Sequence, residues 1–530
     1  MATRSKKADG EWSAGWAPIV DAPLNKTMHD LILNYSSAVL LERVIPDFRD
    51  GLKPGARRLM FVMDKLARKQ VKSARIVGEV MGKYHPRGDS GIYTALTTMV
   101  NQGTPPAIGV GNWGSIVGGS LVDSPAAMRY TEAHLSKYGQ SFFSPSYANP
   151  TVCTRVPNFD HNFTEPLVLS SLLPNVLFNG ASAIGIGVAV NLPSFSPPSV
   201  LTVMESVLRG EKPDLKWVAR TLKFFEPWGG HFVKSKANLE SMLEFLKSNK
   251  GSVLFDSEYE EFRDQKKLSI YGISPGVRVE SLLAKIRLLP EVKYVSQSGK
   301  AREYQVQFDK GINYDQYDAA MAKIRKLLVS RQHYSVAVTE RLPKGEGKNK
   351  LELNLISSDD YDVDFIILSV PQLILRWLKW RVQLEARSIQ WRVDQAEIKL
   401  GSLRLRIEAA SNLDVIKSAL ESKDPCRYLM KAMKWTEAQA NEILDLQLRR
   451  LQRLDLDKLR AQVKEKLAYV KSLKQKDPKH EVLLFLEAAR KAFVLKTNDR
   501  SMQYWELGPM KIEDSEVEAE EETTTEVDTE

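Results

Sequence analysis

Apolar residues in the first hundred positions recur with the spacing of short amphipathic helices. The pattern predicts one helix over about Thr27–Arg43, where Thr27 and Asp30 suit a capping box. Three further short helices are predicted between residues 51 and 101, the last two joined by the turn Gly82–Asp89, whose final residue is placed to cap the second. Two helices joined by a glycine-containing turn predict a helix-turn-helix.

The pattern changes after residue 103. Short apolar runs lie among Gly, Pro, Ser and Asn up to residue 195, which predicts loops and strands beside the helix-turn-helix. From about residue 200 to 365, helical and strand-like runs alternate, and this alternation predicts a separate α/β domain. Its predicted helices are Val200–Arg209, Leu239–Lys247, Val279–Leu288 and Tyr314–Leu328, and its predicted strands are Gly251–Phe255, Lys267–Tyr271, Lys293–Val295 and Arg302–Gln307.

A heptad pattern follows Pro371, a residue suited to the first turn of a helix. One apolar residue recurs every seven positions, at Trp377, Leu384, Trp391, Ile398 and Leu405. A narrow seam of this kind is typical of one helix pairing with another. A short helical insert, Leu413–Leu454, precedes a second seam formed by Leu456, Leu459, Val463, Leu467, Val470 and Leu473. The order predicts an antiparallel stalk with a small knob at its tip.

Charge indicates the kind of partner. The 530 residues, enough for about three or four domains, carry a formal net charge of +9. Residues 513–530 contain ten carboxylates and no Lys or Arg, so the rest of the chain is ten charges more positive than the whole. A basic body predicts a polyanion partner, and the Glu/Thr-rich tail is predicted to be disordered.

Composition also excludes several classes of protein. Cys153 and Cys426 lie far apart in sequence, which argues against a disulfide framework and a cysteine-based zinc site. No apolar run is long and clean enough for a membrane helix, and no apolar segment follows the basic N-terminus as in a signal peptide. We therefore expect a cytoplasmic protein without a membrane partner.

Two motif matches carry little weight. Gly109–Gly114 (GVGNWG) fits a dinucleotide fingerprint, but no helix pattern follows it. Asp360, Asp362 and Asp364 alternate as magnesium ligands can, yet the apolar strand follows them instead of preceding them, which favours a solvated strand entrance. No phosphate-binding GxxxxGK[ST] loop occurs in the sequence.

Positive charge is dense around the predicted helix-turn-helix. Neutralising DNA phosphates requires such clustering, although an ordinary basic surface explains charge alone equally well. The cluster consists of Arg43, Arg49, Lys53, Arg57, Arg58, Lys83, His85 and Arg87. The dipeptide Arg129-Tyr130 is unremarkable by itself, because a tyrosine is more often a packing residue than a nucleophile.

Six sequence blocks resemble, in order, signature segments of the DNA-cleaving subunit of type IIA DNA topoisomerases, of the gyrase A and topoisomerase IV A type. They are IPDFRDGLKPGARR (Ile45–Arg58), KSARIVGEVMGKYHPRGDS (Lys72–Ser90), GNWGSI (Gly111–Ile116), AAMRYTE (Ala126–Glu132), PNVLFNGASAIGIGVAVNLP (Pro174–Pro193) and EILDLQLRRLQRLDLDKL (Glu442–Leu459). Because an acidic tail follows Met510, we expect a short form without the C-terminal β-pinwheel of the cellular subunits, similar to the phage-type subunits. The resemblance implies relaxation or decatenation of DNA, with wrapping-driven supercoiling disfavoured.

The resemblance also implies a mixed α/β and α fold with a definite domain order. The implied segments are a flexible arm (1–26), a winged-helix breakage-reunion domain (27–195), a tower domain (196–370), an antiparallel coiled coil (371–411 and 456–497), a C-gate dimerisation domain (412–455) and a C-terminal segment with a disordered acidic tail (498–530).

By the same resemblance, Tyr130 is the nucleophile that forms a 5′-phosphotyrosine link and Arg129 stabilises the transition state. Arg43, Lys53, Arg57, Arg58, His85 and Arg87 match DNA contacts, Ile184 matches an apolar wedge between base steps, and Ser90 and Thr94 match a quinolone site. Arg87 replaces a usual histidine, and Thr94 replaces a usual acidic residue, which predicts weak quinolone sensitivity.

We see no convincing metal site in the sequence, so Mg²⁺ and ATP are both expected on a B-type partner subunit in an A₂B₂-like assembly. The expected partners are double-stranded DNA, the B-type subunit, and a second copy of the chain. Two alternatives remain open: a non-catalytic dimeric architectural DNA-binding protein, and a meiotic-type break-forming protein, which predicts a metal-binding domain in the same chain.

Overall fold

The computed structural model describes residues 23–39, 43–117, 120–143, 146, 149, 152–185, 188–297, 303–343, 361–445, 456–497 and 502–510. Helices and mostly antiparallel sheets alternate up to one very long helix. The fold is therefore of the mixed α/β type. No helix in these ranges is both long and apolar enough to cross a membrane. The acidic tail and most of the predicted N-terminal arm lie outside them.

The N-terminal part contains the predicted helices, with corrected starting points. Its elements are α1 (Leu24–Val39), α2 (Pro54–Leu66), β1 (Val71–Lys72), α3 (Ser73–Lys83) and α4 (Asp89–Val100). The predicted capping box is wrong, because α1 already begins at Leu24 and the Thr27 hydroxyl donates to the carbonyl of Pro23 at 3.1 Å. Likewise Gly88, not Asp89, is the N-cap of α4.

Strands surround these helices up to residue 192, as the change of pattern predicts. They are β2 (Ala107–Val110), β3 (Ser115–Val117), β4 (Ser120–Asp123), β5 (Glu132–Leu135), β6 (Arg155–Pro157), β7 (Thr164–Pro166), β8 (Ala181–Gly185) and β9 (Val188–Leu192), with the short helices α5 (Lys137–Gln140) and α6 (Asn175–Phe178). An antiparallel sheet of order β1–β5–β2 lies against α3 and α4. Met60, Ile76, Leu96 and Leu135 join both layers in one apolar core.

The following region holds two sheets. Its elements are α7 (Pro197–Leu208), α8 (Leu215–Thr221), β10 (His231–Phe232), α9 (Lys236–Lys247), β11 (Lys250–Asp256), β12 (Glu258–Phe262), β13 (Lys267–Gly272), α10 (Val279–Arg287), β14 (Val292–Gln297), β15 (Tyr304–Phe308), α11 (Tyr314–Leu328) and β16 (Val329–Ser335). The sheet β12–β13–β15–β14 has its own apolar core with α10 and α11. The sheet β10–β11–β16–β9–β8 joins strands from both sides of residue 195, since Asn191 pairs with Ser335. The expected boundary at residue 195 therefore does not separate two sheets.

The C-terminal part is built around a 42-residue helix. Its elements are β17 (Ala337–Pro343), β18 (Tyr361–Ile367), α12 (Val370–Ser411), α13 (Leu413–Leu420), α14 (Pro425–Met433), α15 (Glu437–Leu444), α16 (Leu456–Gln475), α17 (Pro478–Ala492), β19 (Phe493–Thr497) and β20 (Gln503–Leu507). Ser369 and Gln372 cap the start of α12 reciprocally. The short helices α13 to α15 enclose a small apolar core of their own.

The stalk differs from the heptad prediction in its contacts. Val470 and Leu473 of the second predicted seam pack as expected on α12, but on Val393 and Ala396, which lie outside the first predicted seam, and Ile398 of that first seam is 65% exposed. A straight α-helix drifts by about 20° per heptad relative to a strict seven-residue repeat, so one register cannot face a straight partner along its whole length.

The returning segment 456–497 is not one stalk helix, which corrects the predicted coiled coil. Helix α16 ends at Gln475, and Asp477 caps a new helix that starts with Pro478, a residue that suits a first turn and not a helix interior. Helix α17 then packs on α7, where Arg490 pairs with Glu205 at 2.6 Å. The hairpin β19–β20, which no pattern predicted, follows it and packs beneath the N-terminal core.

Candidate functional site

A cationic groove of about 430 Å³ lies between the N-terminal ends of α2 and α4. It is lined by Arg43, Lys53, Gly55, Ala56, His85, Arg87, Gly88, Ser90, Gly91, Ile92 and Ala95. Five residues singled out in the sequence, namely Arg43, Lys53, His85, Arg87 and Ser90, thus share one surface. The backbone N–H groups at helix N-termini favour anions, and so do the positive charges of Arg43, Lys53 and Arg87. The cationic groove can therefore hold the phosphates of a nucleic acid.

His85 supplies this groove with an uncharged hydrogen-bond donor. Its Nδ1 lies 3.0 Å from Nη1 of Arg58, and a guanidinium can only donate, so Nδ1 accepts and the ring hydrogen sits on Nε2. Burial, reinforced by the charges of Arg58 and Arg43, lowers the pKa of His85 to about 4. The ring is therefore neutral at pH 7. A Cβ added at Gly55 would lie 3.5 Å from Nε2, which places that atom over the start of α2.

Arg58 holds His85 in place from behind. Its Nε and Nη2 donate to the carboxylate of Glu165 at 2.8 and 2.7 Å, and Glu165 is largely buried. A planar guanidinium bound to a carboxylate through two nitrogens has a fixed orientation. Arg58 therefore bridges Glu165 and His85.

Arg57, predicted to contact a phosphate, lies behind the surface instead. Its side chain is buried, and Nε donates to Oδ2 of Asp50 at 2.6 Å while Nη2 donates to Oδ1 at 3.0 Å. The same carboxylate accepts from the backbone amides of Leu52 and Leu169. This arrangement fixes the loop before α2, so Arg57 supports the cationic groove from the interior and does not line it.

Lys53 connects the cationic groove to the strand that carries Ile184. Its Nζ donates to the carbonyl of Ser182 at 3.0 Å, and partial burial lowers the pKa of this amine. Ile184 lies two residues further along β8 and is 85% exposed, while Ala183 between them is buried. The alternative that Ile184 is a buried strand residue is therefore wrong. Exposing an isoleucine forgoes about 1.5–3 kcal/mol of burial, which suits a side chain that enters a partner.

Tyr130 lies on the turn between β4 and β5, and its side chain is 64% exposed. The Arg129 guanidinium carbon lies 4.6 Å from the centre of the Tyr130 ring. Neighbouring side chains on a regular helix diverge, and this pair meets because its backbone forms a turn, in which the Tyr130 amide donates to the Ala127 carbonyl at 2.8 Å. An exposed phenol with a cation against it can act as a nucleophile.

The turn with Tyr130 and the cationic groove share helix α4. Residues 90, 91, 92 and 95 of this helix line the groove, while the Tyr93 hydroxyl donates to the carbonyl of Ala126 in the turn at 2.7 Å. Thr94 is exposed, and its hydroxyl donates to the carbonyl of Ser90 at 2.8 Å. Ser90 and Thr94, the two residues expected to match a quinolone site, thus lie one helical turn apart on the same helix.

The carboxylates nearest to Tyr130 in the chain do not fit a magnesium site. Asp123 accepts from the Ser115 hydroxyl at 2.7 Å, and Glu132 pairs with Lys72 at 2.6 Å. Within the ranges that the structure describes, no three His, Cys, Asp or Glu side chains group as metal ligands do. Beside Tyr130, the Arg129 guanidinium adds positive charge.

Two residues with clear geometric roles, Glu165 and Tyr93, escaped the sequence analysis. Glu165 is separated from Arg58 by 107 residues, and Tyr93 from Thr131 by 38. No periodicity or motif signals such contacts. Tyr93 lies three residues after the block that ends at Ser90, and Glu165 lies outside all six blocks.

The sequence is similar to known DNA topoisomerase subunits over most of its length. The profile of the DNA gyrase/topoisomerase IV A-subunit family matches residues 43–488. The chain is 31% identical over 458 residues to the DNA topoisomerase 4 A subunit of Neisseria gonorrhoeae, an alignment covering 82% of this chain and 58% of that protein. It is 29% identical over 496 residues to the same protein of Staphylococcus aureus (strain N315), covering 88% of this chain and 57% of the relative. It is 29% identical over 480 residues to the DNA gyrase A subunit of Lawsonia intracellularis, an alignment covering 85% of this chain and 54% of that protein. The chain thus spans a little over half the length of these relatives.

Proposed function

This chain belongs to the family of DNA gyrase and topoisomerase IV A subunits, and we propose that it is the breakage-reunion subunit of an ATP-dependent type IIA DNA topoisomerase. It makes a transient double-strand break through which a second duplex passes, which relaxes or decatenates DNA. The exposed Tyr130, with the Arg129 guanidinium against its ring, is the observation that carries this proposal.

In the proposed reaction the Tyr130 oxygen attacks a backbone phosphorus, and the bond from that phosphorus to the 3′-oxygen breaks. The phenol loses its proton and the departing 3′-oxygen gains one, leaving a 5′-phosphotyrosine and a free 3′-hydroxyl. The reverse attack reseals the strand, since the aryl phosphodiester keeps the energy of the broken bond. Arg129 stabilises the charge that develops on the phosphoryl oxygens.

The cationic groove binds the backbone beside the break. Arg43, Lys53 and Arg87 supply charge, and the Nε2–H of His85 supplies a directed hydrogen bond without charge. Phosphate contacts of this kind position the duplex without reading its sequence. Ile184 inserts between base steps and bends the bound segment, for which its exposure on β8 is suited.

We assign α3, α4 and the sheet β1–β5–β2 to a winged-helix domain, residues 196–370 to the tower, and α13 to α15 to a C-gate through which two copies dimerise. Exposed apolar residues on these last helices support a protein contact there: Leu420, Tyr428 and Met430. Two copies bring two Tyr130 side chains, one for each strand.

Mg²⁺ and ATP are assigned to a B-type partner subunit in an A₂B₂-like assembly. The engaged carboxylates near Tyr130 support this division, because they leave this chain the tasks of nucleophile and phosphate binding. We derive no step of the mechanism through the metal ion.

A covalent adduct tests the proposal. The full chain is purified with its copurifying partner and incubated with supercoiled plasmid, ATP and Mg²⁺, and the reaction is stopped with detergent. Wild type forms protein-linked DNA that a 5′-exonuclease does not degrade, and Tyr130→Phe forms none. Tyr271→Phe, which alters another exposed tyrosine, is the matched control. DNA binding without any adduct favours the architectural alternative.

A further inference from the structure

The position of the Tyr130 oxygen depends on how its turn is held. Because the side chain is largely exposed, packing of the ring contributes little, and the backbone of the turn must set where the hydroxyl lies. Misplacing a reacting group by about 1 Å can cost about 100-fold in rate. The contacts that fix this backbone therefore matter for the chemistry.

Helix α4 contacts both ends of the turn Ala126–Thr131 through the hydroxyl of Tyr93. The Tyr93 hydroxyl donates to the Ala126 carbonyl at 2.7 Å and lies 2.9 Å from Oγ1 of Thr131. Thr131 is fully buried and is hydrogen-bonded to Oγ of Ser73 at 2.9 Å, at the start of α3. The Ser73 amide also donates to the Thr131 carbonyl at 3.0 Å.

These contacts form a chain of hydroxyls from α3 through the turn to α4. The Tyr93 ring is held independently, against the Trp113 ring with centroids 5.6 Å apart. Residues on either side of Tyr93 line the cationic groove. The same short stretch of helix therefore locates both the turn with Tyr130 and the surface that holds the phosphates.

We propose that Tyr93 is a positioning residue, whose hydroxyl clamps the turn Ala126–Thr131 to α4 and so registers the Tyr130 oxygen with the DNA backbone in the cationic groove. The role rests on the proposed function, because it concerns the same bond-breaking step. Tyr93 does not touch the reacting atoms, and it acts through the backbone of the turn.

Tyr93→Phe removes the hydroxyl and keeps the ring against Trp113. Tyr84→Phe is the matched control, because Tyr84 directly follows the last residue of α3 and its hydroxyl accepts from Lys65 at 3.2 Å, away from the turn. In the complex with the copurifying partner, we expect Tyr93→Phe to slow single-turnover adduct formation by about 10- to 100-fold. The affinity for the same duplex is expected to stay within about twofold, and Tyr84→Phe to cleave like wild type.

Hydrogen exchange on the full chain gives a readout that needs no activity. In Tyr93→Phe, the amides of residues 126–132 exchange faster than in wild type, and those of the stalk do not. Thr131→Val, which keeps the shape of the side chain and loses its hydroxyl, is expected to reproduce both effects, and Thr131→Ser to restore them toward wild type.

The outcomes separate the two proposals. If wild type forms no adduct, the proposed function fails and the positioning role falls with it. If wild type cleaves and Tyr93→Phe cleaves at the same rate, or exchange in the turn is unchanged, the positioning role alone is overturned. Equal losses of cleavage, DNA affinity and thermal stability in Tyr93→Phe also overturn it, because they indicate a general structural defect.

Discussion

The guanidinium of Arg58 donates to Nδ1 of His85 across 3.0 Å, and this contact determines what His85 offers to the cationic groove. It leaves the ring hydrogen on Nε2 and opposes protonation, because a second positive charge would face the first. Burial acts in the same direction. The groove thus combines the cations Arg43, Lys53 and Arg87 with one neutral donor that is held in place by Arg58.

The low pKa of His85 predicts a pH dependence of stability. In the unfolded chain this histidine titrates near its ordinary value of 6.5, and in the folded chain near about 4. As the pH falls from 6.5 to about 4, the unfolded state gains a proton that the folded state does not, so protonation favours unfolding. Below about pH 4 both states are protonated and the slope ends. We expect the free energy of unfolding in urea to fall less steeply in His85→Gln than in wild type across this window.

A pH profile of His85→Gln that runs parallel to the wild-type profile across this whole window would contradict a neutral His85 at pH 7.

Glu165→Gln is expected to destabilise the fold by about 1–3 kcal/mol, since it leaves the partly buried Arg58 guanidinium without its carboxylate. Urea denaturation measures this change. Glu487→Gln removes a more exposed pair with Arg209 and should cost less than Glu165→Gln does. Equal effects of the two substitutions would show that Glu165 is an ordinary surface partner.

Local patterns predicted the elements of the fold better than its contacts. The helix over Tyr314–Leu328 matches the prediction at both ends. Its start depends on a local signal, since Asn313 and Gln316, three residues apart in sequence, cap it reciprocally. The heptad pattern correctly predicted that two helices pair in the stalk, but it wrongly predicted that Ile398 faces the partner helix. The burial of that position depends on how straight both helices are.

In the candidate site, too, the sequence predicted which residues take part better than it predicted their contacts. Charge and motif spacing predicted that Arg43, Lys53, His85 and Arg87 share one surface, and three of them, Lys53, His85 and Arg87, lie just before the starts of the neighbouring helices α2 and α4. Arg57 could not be told from its neighbour Arg58 in sequence, although it lies buried against Asp50. The orientation of each arginine depends on the carboxylate that it meets in the folded chain, Asp50 for Arg57 and Glu165 for Arg58.

Arg87→Gln is expected to weaken DNA binding about equally for all sequences and to lower the slope of log affinity against log salt by about one phosphate contact. Arg87 is exposed at the edge of the cationic groove, so its charge is available to a backbone. Fluorescence anisotropy with a labelled duplex at several salt concentrations measures the slope.

Two further variants sharpen that measurement. Arg87→His should behave like the glutamine variant above the ordinary histidine pKa of about 6.5 and approach wild type below it. Lys431→Gln removes an exposed charge from the knob and should leave the slope unchanged. An unchanged slope in Arg87→Gln would remove this residue from the binding surface.

Ile184→Ala separates bending from binding. Because the side chain is 85% exposed, its truncation should change the free energy of unfolding by less than about 0.5 kcal/mol, whereas Ile270→Ala in the core of the four-stranded sheet should cost about 2–5 kcal/mol.

The bend is measured by energy transfer in a duplex labelled at both ends. Wild type should bend the duplex and so bring its two ends closer together, and Ile184→Ala should bind the duplex but bend it less. Unstacking a base step costs free energy, and an apolar side chain that becomes buried between the bases offsets this cost. Alanine has too little apolar surface to do so. Ile184→Leu keeps that surface and should retain most of the bend, so equal bending by the alanine and leucine variants would refute the wedge.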